Sequence, residues 1–186
     1  DALDSPQLLL DLDRLDANLR RLRTACQEHG VNLRPHFKSL KCGGLARYSG
    51  GRFDHWHQLN SGLVNDVVYA VCVQGDNVWA STTAGASRYN TVTGEWTIFT
   101  EKNAPMEEIW NYENCCTDEK VFLAVWGSGV LEYDVARGKW KSYLDPDGEM
   151  EIDLYRDDGI IHVITTGVSY VENALWVSSY FGACRY

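Results

Sequence analysis

The sequence lacks three signatures that would assign a function class directly. None of its six cysteines forms a Cys-x-x-Cys pair, which argues against a zinc ribbon or a thioredoxin-type site. No apolar run approaches the roughly 18 residues that indicate a membrane span. No serine, histidine and aspartate stand out as a catalytic set. The absences favour a soluble globular protein without a membrane span, and they leave open whether the cysteines form disulfides or occupy core positions.

Positive charge is scarce outside the first fifty residues. The formal net charge is -9, although residues 1–50 hold eight Lys or Arg against six Asp or Glu. The rest of the chain is therefore strongly acidic, whereas a protein that binds nucleic acid needs a positive surface for the phosphates. The composition predicts no nucleic-acid partner, and the acidic surface is explained by solubility.

The chain is also short, with 186 residues. A complete eight-stranded α/β barrel typically takes about 250 residues. The sequence starts at Asp1 without a methionine or a signal-peptide pattern, so we expect a processed, excised or engineered start.

The first fifty residues carry the pattern of a strand–helix–strand unit. Leu8, Leu9 and Leu10, together with Leu12, are typical of a buried strand, and residues 31–38 predict a second strand, interrupted by Pro35. Between them, one face of a predicted helix over residues 13–29 carries Leu15, Leu19, Leu22 and Cys26. Gly30 stands where a helix end favours a left-handed residue. This order predicts two parallel strands joined by a right-handed crossover.

The same residues resemble a known family. Residues 6–13 are Pro-Gln-Leu-Leu-Leu-Asp-Leu-Asp, and residues 33–38 are Leu-Arg-Pro-His-Phe-Lys. Both segments are similar to the start of the D-threonine aldolase family, which has an alanine-racemase-type barrel and uses pyridoxal phosphate. The resemblance implies that Lys38 is the Schiff-base lysine, with Arg34 and His36 beside it in the cofactor site. Leu40 departs from the histidine that many members have there.

Two interpretations of Lys38 stay open. A lysine at the end of a barrel strand lies where barrel active sites form, and the charge of Arg34 with partial desolvation would favour the neutral amine that attacks an aldehyde. Alternatively, Lys38 is an ordinary exposed lysine at a strand end. Because most of the barrel has no counterpart here, we expect Lys38 to be catalytically silent in this chain alone.

From residue 51 onward, the sequence is a repeat of glycines and aromatic residues. Three glycines are each followed four residues later by tyrosine: Gly85 with Tyr89, Gly129 with Tyr133, and Gly182 with Tyr186. A second element has aromatic residues two and five positions after a glycine: Gly51 with Phe53 and Trp56, Gly94 with Trp96 and Phe99, and Gly138 with Trp140 and Tyr143. Repeats of about 40–50 residues with these features are typical of β-propeller blades.

One repeat unit is predicted to hold four strands, over residues 67–73, 77–81, 86–90 and 95–99, separated by turn residues. Trp79, Tyr89, Trp96 and their equivalents are predicted to be core residues between blades rather than a ligand cage. Residues 51–186 would then begin with a strand equivalent to the fourth strand of a blade and contain two whole blades. They would end after a strand equivalent to the third strand of a blade.

The fragments at residues 65–67, 78–81, 85–89 and 175–182 resemble the sensor propellers of two-component regulators. That resemblance implies extracytoplasmic sensing or a binding scaffold rather than catalysis. It also implies more blades than this segment supplies.

Other candidate sites are weaker. His55 and His57 alternate along a predicted strand and could provide two metal ligands, but no third ligand has a clear spacing, and we expect no metal site. The acidic turns at residues 145–149 and 157–159 lack the spacing of a calcium loop. Solvated turns are the simpler explanation.

The sequence as a whole predicts a mainly β protein: an incomplete propeller of about three blades over residues 49–186, preceded by a βαβ fragment over residues 1–48. The preferred function is a noncatalytic binding, sensing or assembly module with no cofactor. The alternative is a pyridoxal-phosphate-dependent D-amino-acid lyase that uses Lys38. Partners would be a second copy or a longer parent chain, and residues 53–59 would pair with residues 183–186 of the same chain or of its partner. The compartment is extracytoplasmic on the first interpretation and cytoplasmic on the second.

Overall fold

A computed structural model describes residues 12–30, 45–49, 52–145 and 159–186. The chain divides into two compact units, Asp1–Pro35 and His36–Tyr186. The first unit contributes the helix α1, Leu12–Glu28. The second contributes thirteen described strands: β1 Leu45–Ser49, β2 Arg52–Trp56, β3 Val68–Gln74, β4 Asn77–Thr82, β5 Gly85–Asn90, β6 Trp96–Phe99, β7 Asn111–Cys116, β8 Lys120–Val125, β9 Gly129–Asp134, β10 Lys139–Tyr143, β11 Thr165–Val171, β12 Ala174–Ser179 and β13 Gly182–Arg185.

Helix α1 confirms the helix predicted between residues 13 and 29. Its C-terminus ends as expected, because Gly30 has φ +64° and donates its N–H to the carbonyl of Gln27. On the exposed surface, Arg20 pairs with Asp16 one turn earlier. The two strands predicted on either side of this helix lie outside the described residues.

The strands form four antiparallel sheets, which confirms the mainly β class. The sheets have the orders β1-β2, β3-β4-β5-β6, β10-β9-β8-β7 and β11-β12-β13. We call them the N-terminal hairpin, the first sheet, the second sheet and the third sheet. The four strands predicted for one repeat unit agree with β3 to β6 to within one residue at each end. No helix in the described parts of the chain is long and apolar enough to cross a membrane.

The sheets are stacked face to face in chain order, with an apolar layer between each pair. Leu45 and Trp56 of the hairpin pack with Val68 and Ala80 of the first sheet. The next layer joins the first and second sheets: Trp79, Ala86, Phe99, Met106, Val121, Leu123, Val125, Leu131 and Tyr133. The last layer joins the second and third sheets: Phe122, Ala124, Val130, Ile160, Val168, Leu175 and Val177. Because successive residues of β8 alternate between these layers, both faces of the second sheet are buried.

Aromatic contacts recur with the repeat. Within a sheet, Tyr89 pairs with Trp96 and Tyr133 pairs with Trp140, and the ring centroids are 4.8 Å apart in both pairs. Between neighbouring sheets, three equivalent ring pairs lie 5.1–5.5 Å apart: Trp56 with Tyr89, Phe99 with Tyr133, and Tyr143 with Tyr186. The glycine-aromatic pattern therefore encodes contacts within and between sheets, as predicted.

The N-terminal hairpin corrects one expectation. Within the described residues of one chain, β2 pairs with β1 and not with residues 183–186. The reason is visible in the sequence, because residues 44–48 (Gly-Leu-Ala-Arg-Tyr) and residues 182–186 (Gly-Ala-Cys-Arg-Tyr) carry the same pattern. β1 therefore takes the place predicted for the later strand. The domain division at residues 48 and 49 stays a prediction, and this hairpin joins residues from both sides of it.

A disulfide links the first strands of two sheets. Cys72 of β3 is bonded to Cys116 of β7, with 44 residues of sequence separation and 6.0 Å between the Cα atoms. Cys115 lies on the other face of β7, against the layer of the third sheet, as expected for neighbouring residues of a strand. Within the described residues, Cys72 and Cys116 thus form a structural bridge, while Cys26 and Cys184 are free thiols.

We expect loss of this bridge to lower the free energy of unfolding by about 2–4 kcal/mol, because the cross-link restricts the unfolded chain. The test compares urea unfolding of the Cys72→Ser/Cys116→Ser variant with that of the parent. The control is Cys26→Ser, which removes a free thiol and should leave the midpoint unchanged. Equal midpoints for the parent with and without dithiothreitol would contradict the expectation.

A charge cluster around a buried carboxylate lies between the second and third sheets. Glu132 on β9 accepts hydrogen bonds from the Lys120 ammonium at 2.6 Å and from the Tyr143 hydroxyl at 2.5 Å. Burial alone would raise the pKa of Glu132, but these two donors outweigh it and hold the pKa below its ordinary value. Burial and the Glu132 carboxylate raise the pKa of Tyr143, so that its phenol stays protonated and keeps donating.

The lowered pKa of Glu132 predicts the direction in which the stability of the protein changes with pH. Its stabilisation is present above the ordinary carboxyl pKa of 4.5 and is lost as the pH falls through the lower folded value. The Glu132→Gln variant should be less stable than the parent by about 1–3 kcal/mol at pH 7, and this difference should shrink towards pH 3. Urea unfolding at several pH values measures it. A difference that stays constant with pH would show that the carboxylate charge is irrelevant.

Candidate functional site

The residues predicted for catalysis and cofactor binding lie outside the described part of the chain. Lys38, Arg34 and His36 all fall between residues 31 and 44. Their roles therefore stay predictions that rest on the family motif. The acidic turns at residues 146–149 and 157–158 are outside the described residues as well.

The histidine pair is described. His55 lies on β2, and His57 follows the strand and caps a turn with its Nδ1 atom, which accepts a hydrogen bond from the Leu59 N–H at 3.2 Å. Within the described residues, no group of three His, Cys, Asp or Glu side chains is arranged to hold a metal ion.

The structure instead brings together five aromatic side chains at one end of the sheets. We call this cluster the aromatic ridge: Tyr69, Trp110, Tyr112, Trp126 and Tyr180. The rings of Tyr69 and Tyr112 are stacked with centroids 5.0 Å apart, Tyr112 is 5.7 Å from Trp126, and Trp126 meets Tyr180 edge-on at 5.0 Å. The ridge therefore crosses all three of the larger sheets.

Two β-bulges place the tyrosines at the start of the ridge. The register of β3 against β4 shifts between Val68 and Ala70, and that of β7 against β8 shifts between Asn111 and Glu113. Tyr69 and Tyr112 are the extra residues at these two shifts. Because a bulge bends its strand and redirects a side chain, the same local irregularity aims both tyrosines into one stack.

Equivalent backbone hydrogen bonds hold the rest of the ridge. Trp126 donates its N–H to the Trp110 carbonyl at 2.8 Å, and Tyr180 donates to the Ile164 carbonyl at 3.2 Å. Thr83 donates in the same way to Val67 in the first sheet, at 3.3 Å. In each sheet, the loop after the second strand is thereby fastened to the residue just before the first strand. This fastening fixes the loop residues that carry Trp126 and Tyr180.

A buried amide fastens the first sheet to the second beneath the ridge. Asn114 on β7 donates from Nδ2 to Ser81 Oγ at 2.8 Å and lies 3.4 Å from the carbonyls of Ala70 and Trp79. Asn114 and Ser81 are both buried. Buried polar groups that satisfy one another favour a single arrangement over alternatives. The relative position of Tyr69 and Tyr112 is therefore well determined.

The ridge is open to solvent along its outer side. Trp110 is 48% exposed and Tyr180 is 61% exposed, whereas Tyr69, Tyr112 and Trp126 are half-buried. Burial, with the neighbouring phenols of Tyr69 and Tyr180, raises the pKa of Tyr112, so that its hydroxyl remains a neutral donor.

The border of the ridge is acidic. Glu107 and Glu108 are exposed, and both donate their backbone N–H groups to Ser128 Oγ, at 2.9 and 3.1 Å. Glu108 lies beside Gly127, which follows Trp126 in the loop. Planar rings next to carboxylates suit stacking on apolar groups and attraction of cations. The arrangement offers contacts for binding.

Sequence reasoning identified the core aromatics but missed the ridge. Trp79 is fully buried between the first and second sheets, and Trp96 and Trp140 pack against the core, as predicted. Trp110 and Tyr112 lie between the aligned repeat elements, so the alignment gave them no role. The available signal was their density, since residues 110–126 begin and end with tryptophan and contain Tyr112.

Comparison with known proteins confirms both resemblances found in the sequence, to D-threonine aldolase and to the sensor domains of two-component systems. No family model matches the chain. A D-threonine aldolase from Arthrobacter sp. is 46% identical over 44 residues, which are 24% of this chain and 12% of that protein. This chain therefore spans a small part of the curated relative, and the match is confined to one quarter of its own length.

Solved structures with similar folds cover most of this chain but only part of their own. The extracellular domain of a hybrid two-component system from B. thetaiotaomicron matches 77% of this chain and 25% of that one, with a TM-score of 0.47 and 14% identity. PorZ, a surface component of the type-IX secretion system of Porphyromonas gingivalis, matches 74% and 20%, with a TM-score of 0.49 and 9% identity. The computationally designed Ika8 protein matches 75% and 38%, with a TM-score of 0.47 and 11% identity. Because these TM-scores are below 0.5, the fold is defined by the strands of this chain and their register.

Proposed function

We propose that this chain is a noncatalytic binding module and that the aromatic ridge is its binding surface. The observation that carries the proposal is the joining of five half-buried or exposed rings from three sheets into one continuous surface. Exposed aromatic side chains are unfavourable in water, and Trp and Tyr are enriched where proteins bind partners. A surface fixed by bulges and buried hydrogen bonds loses little conformational freedom when it binds.

The negative charge at the border of the aromatic ridge indicates which class of ligand the ridge would bind. Glu107 and Glu108 beside the ridge repel anions, and the chain as a whole carries a formal charge of -9. Ring faces attract cations through their quadrupole, by about 0.5–2 kcal/mol for each favourable contact. A ligand with a planar or apolar group and a positive charge therefore fits better than its anionic counterpart.

Titration of the isotopically labelled chain with two matched probes tests this proposal. Benzyltrimethylammonium should shift the indole N–H signals of Trp110 and Trp126, and benzenesulfonate should not. The Trp110→Ala variant should reduce the response at Trp126, whereas Leu59→Ala removes an exposed apolar residue outside the ridge and should leave it unchanged. Equal responses to both probes, or shifts spread over all exposed aromatics, would refute the ridge as a binding site.

The stacked sheets support a finer proposal, an incomplete β-propeller of about three blades. Two four-stranded sheets and one three-stranded sheet pack face to face with repeated aromatic contacts, which is how blades pack in a propeller. We propose that a second copy or a longer parent chain completes the ring. The chain would then act in assembly as well as in binding.

The disulfide supports an extracytoplasmic location for this module. Disulfides form and persist in oxidising compartments and are rare in the cytosol of most organisms. Cys72 and Cys116 join two sheets at their first strands, which is a structural position rather than a redox-active one. We propose on this ground that the binding module lies outside the cytoplasm.

The alternative function is a pyridoxal-phosphate-dependent lyase, and the 44-residue match favours it. Pyridoxal phosphate would supply an aldehyde for the amine of Lys38, with Arg34 and His36 nearby. We expect this chain alone to be silent, since it spans 12% of the curated relative. Incubation with pyridoxal phosphate, borohydride reduction and peptide mapping decide the matter. Stoichiometric labelling of Lys38 that is lost in Lys38→Ala would establish the lyase interpretation instead.

A further inference from the structure

The third sheet repeats a core-forming face of the first sheet, but no other sheet of the described residues covers that face. Trp79 stands opposite Arg88 in the first sheet, with the Arg88 Cζ 5.7 Å from the tryptophan ring centroid. Trp176 stands opposite Arg185 in the third sheet, with the corresponding distance 5.9 Å. Trp79 is 0% exposed because the second sheet covers it, whereas Trp176 is 47% exposed. The third sheet therefore presents a surface of the kind that another sheet buries.

The third sheet also has an open edge where its counterparts have a fourth strand. In the first two sheets, β6 and β10 lie against β5 and β9 so closely that a Cβ on Gly85 or Gly129 would come within 2.2 Å of the Phe99 or Tyr143 carbonyl oxygen. Gly182 is the equivalent glycine of β13, and a Cβ there would meet only Ile161 Cδ1, at 3.4 Å. Among the described residues, β13 pairs only with β12.

One segment of this chain has the sequence to fill that edge. β2 carries Phe53 and Trp56 at the spacing of Trp96 and Phe99 in β6. Its present partner β1 has Tyr48 opposite Phe53 and Arg47 opposite Asp54. The Arg47 guanidinium binds the Asp54 carboxylate at 2.6 Å.

β13 presents the same sequence of side chains as β1. If residues 183–186 take the register of residues 45–48, Tyr186 stands opposite Phe53, Arg185 opposite Asp54, Cys184 opposite His55 and Ala183 opposite Trp56. The aspartate thereby keeps an arginine partner. The Phe53–Tyr186 pair reproduces the stacking of Trp96 on Tyr89 in the first sheet, where the centroids are 4.8 Å apart.

We propose that the outer edge of β13 and the face around Trp176 form a docking surface for a second copy of this chain, whose β2 becomes the fourth strand of the third sheet. The first sheet of the second copy moves together with its β2, because Trp56 of β2 packs on Tyr89 of that sheet with the ring centroids 5.4 Å apart. That sheet then covers Trp176 and Arg185, as the second sheet covers Trp79 and Arg88. Reciprocal exchange gives a twofold dimer with six stacked sheets.

The exchange leaves each copy with one residue pair of strand pairing fewer. Each copy gives up the β1–β2 pairing, over five residue pairs, and gains pairing of β2 with β13 over four. What favours the dimer is the burial of Trp176 and of the open edge of β13. This inference rests on the proposed assembly role and does not involve the aromatic ridge.

Two equivalent charge reversals test it by sedimentation equilibrium from about 1 to several hundred micromolar. Arg185→Glu places a glutamate opposite Asp54 in the dimer alone and should raise the dimer dissociation constant by about tenfold or more. Arg47→Glu places a glutamate opposite Asp54 in the monomer alone and should lower that constant. A parent chain that stays monomeric throughout, or two variants that change the constant in the same direction, would overturn the proposal.

A cross-link tests the register. With Cys26 replaced by serine, His55→Cys should form an intermolecular disulfide with the native Cys184, and Arg52→Cys, which lies beyond the paired residues, should not. A cross-link within one chain, or none, would overturn the exchange between copies. Titration of the monomeric Arg185→Glu variant with the two probes separates the two proposals. The aromatic ridge of this variant should still bind benzyltrimethylammonium, whether or not the parent chain dimerises.

Discussion

Replacing Trp79 by alanine is expected to lower the free energy of unfolding by about 3–5 kcal/mol, the usual cost of deleting a fully buried tryptophan side chain. The indole contacts Phe99 and Tyr133 with ring centroids 5.2 and 5.3 Å away, and it lies in the layer between the first and second sheets. The cavity cannot close easily, since strands from both sheets surround it. For a domain of this size, the melting temperature should fall by roughly 2–4 °C for each kcal/mol lost.

Tryptophans at other positions provide graded controls for this variant. Trp96→Ala and Trp140→Ala should each cost less than Trp79→Ala, because both side chains are half-buried. Their costs should also resemble each other, since each ring contacts the tyrosine of its own sheet with the centroids 4.8 Å apart. Trp176→Ala, measured at concentrations where the chain is monomeric, should cost least. Unchanged melting temperatures for both Trp96→Ala and Trp140→Ala would show that the register of the repeat is wrong.

Alanine at Gly85 or Gly129 should be destabilising by about 3 kcal/mol or more in each case. Both glycines have positive φ, and a Cβ at either would lie 2.2 Å from a backbone carbonyl oxygen of the fourth strand. A backbone atom cannot rotate away as a side chain does, so the fourth strand has to shift and weaken its pairing. Thermal unfolding followed by circular dichroism in the β-sheet region measures the loss.

Gly94 is the matched control for these two glycines. It has φ +75°, but a Cβ there would meet no atom within 4 Å. Gly94→Ala therefore reports the cost of the left-handed backbone alone, about 1 kcal/mol. If Gly85→Ala and Gly129→Ala cost no more than Gly94→Ala, the close approach of the fourth strands is not as described.

The strands were predictable because their signals are local. Alternation of apolar residues, a turn glycine and a tyrosine four residues later mark β5 and β9 wherever they occur in the sequence. Helix α1 follows equally from its apolar period and from Gly30. The repeat also predicted that Trp79, Tyr89, Trp96 and their equivalents are core residues, because equivalent positions in equivalent sheets have equivalent surroundings.

The features that were missed depend on contacts between distant residues. The ridge joins Tyr69 to Tyr180, and no local pattern indicates that two bulged strands and two loops meet at one end of the stack. The Cys72–Cys116 bond was one of several pairings that six cysteines allow. β1 was overlooked for a different reason. Its residues follow directly on the segment that resembles the aldolase family, so the Gly-Leu-Ala-Arg-Tyr pattern was not compared with residues 182–186.

The Cys72–Cys116 bond also determines how the chain behaves when it is cut. The segment between the two cysteines contains the turns of the first sheet and the exposed loop that carries Glu101 and Lys102. A protease that cleaves once in that loop divides the polypeptide but releases no fragment, because the bond still joins the two pieces. Nicked molecules would therefore differ from intact ones by only the water added in the cleavage, until a reductant separates the two pieces.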